Sequence, residues 1–238
     1  MTKLSVNINK IATLRNSRGG NEPNVVDFAL DIQSFGAEGI TVHPRPDERH
    51  IKYDDVYALK NEVYTEFNIE GNPIEKFMKL IIDVKPTQAT LVPDKVDAIT
   101  SNSGWNTIEY KNMLKDIINE LKSHGIRTSI FLDPETKYIN SLVEINPDRV
   151  ELYTEEFARE FLRGNFSIID KYKVCADIMS KEGIGINAGH DLSLKNIKYF
   201  ANNIENLAEV SIGHALITES LHDGLKKTIK KYLQLLSK

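Results

Sequence analysis

Histidine and glutamate side chains at the ends of predicted strands are the residues of this sequence best suited to chemistry. His43 follows the second predicted strand, Glu70 closes the third, and His190 follows the seventh. Histidine titrates near neutral pH, and burial can raise the pKa of a glutamate toward the same range. Two histidines and a glutamate brought to one site could therefore move protons to and from a substrate.

Glu70 is the strongest of these candidates on physical grounds. It closes an apolar strand that contains Phe67 and Ile69, so its side chain is expected to enter the mouth of the fold. A carboxylate there is costly unless it is paired or functional. Glu151, in the sixth predicted strand, follows the same argument, although Arg149 could be its salt-bridge partner.

The histidines also have structural interpretations that stay open. A histidine at a strand end can simply hydrogen-bond a backbone carbonyl, and this applies to His43 and His190 individually. For His124, at a predicted helix C-terminus where a cation is favoured, the structural interpretation is preferred. His222, at another helix end, is similarly uninformative.

Arginines follow the first two predicted strands in an unusual concentration. Arg15 and Arg18 follow the first strand, and Arg45 and Arg49 follow the second. Each could be a solvated surface charge, but the guanidinium fork is also a binder of phosphate or carboxylate. Together they predict an anion site in the loops.

A second anion site is predicted from backbone rather than side chains. Gly213–Leu216 opens a predicted short helix after the eighth strand, and Gly189–Asp191 follows the seventh. In (β/α)8 barrels the loops after these strands, with the N-terminus of an extra helix, commonly bind phosphate. The mouth is therefore expected to hold two anionic groups.

Eight short β-rich segments alternate with helical patterns, which is typical of a parallel sheet with crossover helices. The predicted strands are Leu4–Asn9, Gly39–His43, Glu66–Glu70, Gln88–Val92, Thr128–Asp133, Arg149–Tyr153, Gly185–Ala188 and Glu209–Gly213.

The intervening helices are marked by capping signals and periodic apolar residues. Asn72-Pro73-Ile74-Glu75 resembles a helix start with Asn72 as N-cap, and Gly125 suits a left-handed cap after a helix over Thr107–Ser123. Thr154–Gly183 is long enough for two helices, and Gly213–His222 predicts a short one. The apolar stripe predicted for the Thr107–Ser123 helix is Tyr110, Met113, Leu114, Ile117, Ile118 and Leu121.

Eight strands with following helices favour a closed (β/α)8 TIM barrel with extra helices, in one catalytic domain over residues 1–238. Closure leaves no exposed sheet edge. An open doubly wound sheet is the alternative, but no G-x-G-x-x-G follows the first strand.

The composition limits the classes of partner that this chain is expected to bind. The net charge of -4 gives no reason to expect nucleic acid, and no apolar run approaches the ~20 residues of a membrane span. Cys175 is the only cysteine, and no signal-peptide pattern opens the chain, so a cytoplasmic location is expected. The histidines lack metal-ligand spacing, and no metal is expected.

Two other functions remain as alternatives. A phosphate-handling aldolase or epimerase could use a Schiff-base lysine at Lys10 or Lys95, although neither ends an apolar strand. A non-catalytic barrel that senses a sugar phosphate would leave Glu70 and His190 without a role.

Several motifs, in order and over essentially the whole chain, resemble the pyridoxine 5'-phosphate synthase family. They are Val6-Asn7-Ile8, Ile11–Asn16 with Arg18-Gly19, Gly39–Arg45 with Asp47, Arg49, His50 and Ile51, Asn68-Ile69-Glu70, Leu91–Lys95, Asn187–His190 and Ile212–Ala215.

The resemblance implies a specific reaction and specific roles. The family joins 3-amino-2-oxopropyl phosphate to 1-deoxy-D-xylulose 5-phosphate, releasing phosphate and water. The substrate amine itself forms the imine, so no Schiff-base lysine of the enzyme is needed, and no cofactor is expected. By the family pattern His43 and Glu70 accept protons, His190 donates one, and Glu151 stabilises charge during ring closure.

The resemblance also implies binding residues and a homo-octamer. Asn7, Arg18, Asp191, Gly213 and His214 would surround the aminoketone phosphate. The residues implied for the deoxyxylulose phosphate are Arg45, His50 and Thr100. This chain departs from the family at Asn9-Lys10, where Asp-His is frequent, and at Asp191, where glycine is common and a carboxylate now adjoins a phosphate site.

Overall fold

The computed structural model describes residues 1–94 and 103–237 and contains a closed barrel of eight parallel strands. The strands are β1 Lys3–Asn7, β2 Gly39–Val42, β3 Glu66–Gly71, β4 Gln88–Leu91, β5 Arg127–Leu132, β6 Arg149–Tyr153, β7 Gly185–Gly189 and β8 Leu207–Ile212.

Each strand pairs in parallel with the next, and β1 closes the barrel against β8, with Ser5 beside Ser211. The prediction of a (β/α)8 barrel is confirmed, and every predicted strand is present with ends shifted by at most two residues. The open-sheet alternative is excluded because no strand edge is left unpaired in the barrel.

Helices follow the strands around the barrel. They are α1 Asn9–Asn16, α2 Val25–Ser34, α3 Tyr53–Leu59, α4 Glu75–Val84, α5 Lys111–Ser123, α6 Ile139–Ile145, α7 Glu155–Leu162, α8 Ile169–Lys181, α9 Ile197–Asn203, α10 His214–Asp223 and α11 Leu225–Leu236. The two helices predicted within Thr154–Gly183 are confirmed as α7 and α8, and the short helix after the eighth strand is confirmed as α10.

Two predicted helix starts are wrong. Helix α4 begins at Glu75 after Ile74, so Asn72 does not cap it. The Asn72 amide instead donates a hydrogen bond to the backbone oxygen of Asp94 (3.0 Å), and this long-range bond takes the place of a local cap.

The helix predicted over Thr107–Ser123 begins only at Lys111. The Thr107 hydroxyl is buried and bonds the backbone oxygen of Tyr138 (2.8 Å), which ties this segment to α6 instead. Tyr110 and Met113 are exposed, so the core-facing stripe of α5 is Leu114, Ile118 and Leu121. Gly125 has a φ of 74°, as its predicted left-handed cap requires.

The alternation of side chains along each strand produces two interiors, one between the strands and the helices and one inside the barrel. Residues such as Leu4, Ile40 and Ile69 are fully buried in the apolar core shared with the helices. The opposite positions are polar and hydrogen-bond across the inside of the barrel, where Asn68 bonds Thr41 and Thr90. Side chains inside such barrels are usually branched and aliphatic, so this interior is polar for its fold.

The N-terminal end of the barrel is closed by paired charges. Glu66 accepts hydrogen bonds from Lys3 and Arg127. Arg149 lies 3.7 Å from the carboxylate of Glu209, which also accepts from the Asn187 amide (3.3 Å). These side chains fix the strand starts and face away from the carboxyl ends of the strands.

Candidate active site

The carboxyl ends of the strands surround a cavity of about 520 Å³. Its wall includes most of the residues predicted from the sequence, namely Asn7, His43, Arg45, His50, Glu70, Glu151, His190, Asp191, Gly213 and His214. Four of the six histidines of the chain therefore meet at one rim. A cavity of this size accommodates small-molecule substrates.

Two predicted binding residues are not placed in this cavity by the part of the chain that the structure describes. Arg18 is exposed beyond the end of α1. Thr100 lies outside the described residues, as does Lys95, one of the two lysines considered for Schiff-base chemistry. The other, Lys10, lines the cavity from the first turn of α1.

Glu70 lies in β3 with its carboxyl group at the floor of the cavity. Burial, reinforced by the negative charge of Asp94, raises the pKa of Glu70 to about 8, although Arg45 opposes the shift. The Asn7 amide is 3.5 Å from the carboxyl oxygen, and the Nδ1 atom of His43 is 3.7 Å from it. Glu70 is therefore mostly protonated at pH 7 and exchanges its proton close to neutrality.

His43 directly follows β2 and is 5% exposed. Burial lowers the pKa of His43 to about 3, with further contributions from the charges of Arg45, His50 and Arg49. The ring is therefore neutral at pH 7 and keeps one nitrogen able to accept a proton.

Glu151 is buried inside the mouth, where the Glu70 carboxyl group affects its ionisation. Burial, followed by repulsion from Glu70 and Glu209, raises the pKa of Glu151 well above its ordinary value. Its predicted alternative partner, Arg149, lies beside Glu209 instead. Two buried carboxyl groups that repel each other titrate as a pair, so the mouth retains protons at neutral pH.

Gly189 leaves the space that the Glu151 carboxyl group occupies. A Cβ atom at position 189 would lie 2.2 Å from Glu151 Oε1 and 3.1 Å from the Ser211 backbone oxygen. Any side chain there would displace the carboxyl group. Glycine at the end of β7 is thus required by the position of Glu151.

A cationic wall faces the carboxyl groups. Arg45 is buried and bonds Asp94 through Nη2 (2.7 Å), and His50 accepts or donates a hydrogen bond with Thr13 (2.8 Å). Burial, together with Lys10 and Arg45, lowers the pKa of His50. These groups form a surface to which an anion could bind.

The other arginines of the predicted anion cluster lie elsewhere. Arg15 belongs to α1 rather than to a loop, and it is buried in a bidentate pair with Asp55 of α3 (2.5 and 2.8 Å). Arg49 bonds Asp47 (2.6 Å). Of the four arginines, only Arg45 lines the cavity, because the others join the surrounding helices and loops.

The first turn after β1 is held by two asparagines. Asn7 accepts a hydrogen bond from the Asn9 backbone (3.0 Å), and Asn9 accepts one from the His43 backbone (2.9 Å). Asn9 therefore fixes the end of β2 on which His43 sits. This role needs only a side-chain oxygen, which the asparagine supplies.

Helix α10 begins at His214, with Gly213 before it, and Gly213, His214 and Ala215 all line the cavity. A Cβ atom at position 213 would lie 3.1 Å from the Asn7 side chain. The backbone N–H groups of the first helical turn are therefore close to the mouth, where they favour an anionic group.

Sequence reasoning missed Phe131 and Tyr153, which also line the cavity. Both rings follow inward polar residues at the two-residue spacing of a strand, Ser129 in β5 and Glu151 in β6. That alternation was the available signal. Asp94 lies shortly after β4, and its pairing with Arg45 had no local signal in the sequence.

Within residues 1–94 and 103–237, no group of three histidine, cysteine or acidic residues could hold a metal ion. Over the same residues, no helix is long and apolar enough to cross a membrane.

Comparison with known proteins identifies relatives over the full length of the chain. The family described as "Pyridoxal phosphate biosynthesis protein PdxJ" matches residues 4–238. The pyridoxine 5'-phosphate synthase of Christiangramia forsetii is 61% identical over 236 residues, covering 99% of this chain and 100% of the relative. That of Flavobacterium johnsoniae is 56% identical, covering 98% and 99%.

Solved structures resemble the chain in fold alone. The N-(5'-phosphoribosyl)anthranilate isomerase of Pyrococcus furiosus superposes with a TM-score of 0.64 at 12% identity, covering 99% of this chain and 98% of that one. The tryptophan synthase alpha subunit of Legionella pneumophila gives 0.62 at 12% identity, covering 99% and 92%.

Proposed function

Because the chain belongs to the pyridoxal phosphate biosynthesis family PdxJ, whose members are enzymes of vitamin B6 biosynthesis, we propose a specific reaction for it. The enzyme condenses 3-amino-2-oxopropyl phosphate with 1-deoxy-D-xylulose 5-phosphate to give pyridoxine 5'-phosphate, phosphate and water. The substrate amine attacks the ketone, so the imine forms between the substrates and Lys10 is not required as a nucleophile.

The distribution of charge around the mouth supports the binding of two phosphorylated substrates. Arg45 and His50 form one wall, where they would bind the deoxyxylulose phosphate together with Thr100. The start of α10, at Gly213 and His214, would bind the aminoketone phosphate through backbone N–H groups. Asn7, which lines the same cavity, completes the aminoketone site, and the family resemblance adds Arg18, which lies outside the cavity wall in this structure.

Glu70 carries the acid–base part of the proposal. Its carboxyl group faces the cavity, and its pKa of about 8 lets it take up and release a proton near neutral pH. After one proton leaves, the carboxylate is a base strong enough to accept the next. Glu151, beside it, helps to stabilise charge that develops during ring closure.

His43 acts as a second proton acceptor, and substrate binding would make it a better one. Burial is the main cause of its pKa of about 3, and the charges of Arg45 and Arg49 lower the pKa further. A bound phosphate dianion beside Arg45 offsets part of this positive charge and so raises the pKa of His43. The histidine would then accept a proton more readily with the substrate bound than without it.

His190 is the proton donor in this proposal. It follows β7, which is three strands from β2 around the closed barrel, and it lines the same cavity as His43. Donor and acceptors on different strands allow protonation and deprotonation at different substrate atoms. The distinct roles account for two histidines and a glutamate in one mouth.

The observation that carries the proposal is a cavity-facing glutamate that titrates near neutrality in a chain of this family. The test mixes the purified protein with both substrates and follows pyridoxine 5'-phosphate by its absorbance. Product should form only when both substrates are present. No product from intact, folded protein with both substrates would contradict the proposal.

We extend the proposal to a cytoplasmic homo-octamer, as the family resemblance implies. Analytical ultracentrifugation should give a mass near eight times the 27.0 kDa of one chain. A monomer that retains full activity would separate the assembly from the chemistry and contradict this part alone.

A further inference from the structure

The side chains of His190 and Asp191 contact each other directly at the cavity wall. Nδ1 of His190 lies 2.9 Å from Oδ2 of Asp191, within normal hydrogen-bond distance for a charge-assisted bond. The bond lowers the pKa of Asp191, with a further contribution from the charge of His214. The carboxylate is therefore ionised and accepts the Nδ1 proton of the ring.

The backbone at these two residues is unfavourable for residues with side chains. His190 has a φ of 76° and Asp191 a φ of 62°, both in the left-handed region. Glycine adopts this region at the least conformational cost, and aspartate tolerates it at some cost. If residue 191 were needed only for the turn of the chain, glycine would adopt this conformation at a lower cost. We therefore expect the Asp191 carboxylate to have a function of its own.

The turn is held without the Asp191 carboxylate. The Thr154 hydroxyl donates to the backbone oxygens of Gly189 (2.8 Å) and His190. The Asn196 amide donates to the backbone oxygen of Asp191 (3.3 Å). Removal of the carboxylate should therefore leave the loop in place.

Other groups restrict the His190 ring and set its electrostatic surroundings. The edge of the ring contacts Tyr153 of β6, with centroids 5.0 Å apart. Glu151 of β6, Glu155 of α7 and His214 of α10 line the same cavity as His190. The contact with Tyr153 restricts the orientation of the ring, and the carboxylate at Nδ1 favours a proton on that nitrogen.

We propose that Asp191 is a positioning residue that holds His190 with its Nδ1 proton on the carboxylate, so that Nε2 is the nitrogen that exchanges a proton with the substrate. When Nε2 passes its proton to the substrate, the neutral ring that remains is the Nδ1–H tautomer, which is the form that Asp191 binds. The inference rests on the proposed function, in which His190 is the proton donor. It assigns the Asp191 side chain to the histidine rather than to the phosphate.

The test compares Asp191→Ala and Asp191→Gly in the native protein and in a His190→Asn background. In the native protein each variant should lower kcat by roughly tenfold, with KM for both substrates changed by less than about twofold. In the His190→Asn background, Asp191→Ala should have no further effect, because the residue acts through the ring. Asp191→Gly should fold with an unchanged thermal midpoint, since relief of backbone strain offsets the added freedom of the unfolded chain.

Nitrogen NMR of the His190 ring gives a readout that does not depend on turnover. The wild type should show the Nδ1–H tautomer when the ring is neutral, and Asp191→Ala should show a mixture. Unchanged kcat in Asp191→Ala, an equal loss in the His190→Asn background, or an unchanged tautomer would overturn the inference. A wild-type protein that shows the Nδ1–H tautomer but makes no product would instead contradict the proposed function.

Discussion

Glu66 and Glu70 lie on the same face of the same strand, yet their carboxyl groups have opposite properties. At the N-terminal end of β3, burial opposes ionisation of Glu66, but hydrogen bonds from Arg127 and Lys3 outweigh it and lower its pKa to about 2. Near the other end, burial and the charge of Asp94 raise the pKa of Glu70 to about 8. The supply of hydrogen-bonding cations therefore decides whether a buried carboxyl group is a structural anion or a proton carrier.

The two ends of the barrel differ in how their buried carboxyl groups are paired. Arg149 and Arg127 accompany Glu209 and Glu66 at the strand starts, although burial of Glu209 outweighs the charge of Arg149 and raises the pKa of Glu209 to about 7. At the strand ends, Glu70 and Glu151 are buried together, and the charge of Glu70 contributes to the raised pKa of Glu151. The barrel thus places its arginine–glutamate pairs at the strand starts and its candidate acid–base residues at the strand ends, as expected for the two faces of this architecture.

The largest expected effect comes from making one substitution at both ends of β3. Glu70→Gln should lower kcat by roughly 10²–10⁴-fold, because it removes a positioned acid or base. Glu66→Gln should leave kcat within about twofold but lower the free energy of unfolding by roughly 1.5–3 kcal/mol, the worth of a hydrogen bond to a charged group. Steady-state kinetics and urea unfolding of both variants check this. A comparable loss of kcat in the two would remove the distinction.

A second matched pair uses the two ends of β7. Gly189→Ala should lower kcat by roughly 10–10²-fold, because the new Cβ displaces the Glu151 carboxyl group. In Gly185→Ala the new Cβ atom would lie 3.0 Å from the Arg149 side chain, which is flexible and can shift. Its kcat should change by less than about twofold. Steady-state kinetics on both purified variants test this expectation. Equal losses of kcat would show that any substitution in β7 lowers activity, whatever its effect on Glu151.

The pH dependence of stability should have opposite signs at the two ends. Glu70 has a raised pKa, so the protein loses stability as pH rises from 4.5 to about 8. Glu70→Gln should therefore become more stable relative to wild type over this window, by roughly 1.4 kcal/mol per pH unit. Glu66 has a lowered pKa, so the disadvantage of Glu66→Gln should shrink as pH falls from 4.5 to about 2. Urea midpoints across pH test both slopes, and parallel slopes would contradict the contrast.

The smallest effect is expected at Lys3, an exposed residue among the charged pairs at the N-terminal end of the barrel. Lys3→Met removes one partner of Glu66, but the lysine side chain is 42% exposed and Arg127 remains. The free energy of unfolding should fall by no more than about 1 kcal/mol, with kcat unchanged. A larger loss in thermal unfolding would mean that Lys3, rather than Arg127, holds Glu66 ionised.

The sequence predicts the strands and the rim of the site because both depend on local pattern. Alternating apolar residues define each strand, and parallel strands bring their carboxyl ends to one edge, so His43, Glu70 and His190 could be assigned to a common mouth. The predicted start of α4 was wrong because the Asn72 side chain bonds the backbone of Asp94 instead of capping the helix. That bond joins residues distant in sequence, so the capping pattern could not reveal it.

Electrostatic pairing was the least predictable part of the site. Arg15 looked like a loop arginine, but α1 is short and turns it inward to Asp55 of α3. Asp191 looked like a carboxylate beside a phosphate, but the left-handed turn directs it to its neighbour His190. Both outcomes depend on backbone conformation and tertiary contacts, which residue types alone do not determine.

The polar interior of the barrel also bears on how stability varies with temperature. Asn68, Gln88 and Thr90 are buried in a hydrogen-bonded column along the axis, and the apolar core is confined to the ring between strands and helices. Exposure of polar surface on unfolding lowers the heat-capacity increment, whereas exposure of apolar surface raises it. The stability curve of this protein is therefore flatter than that of a barrel of equal length with an aliphatic interior, and its folded state changes less in free energy on cooling or warming.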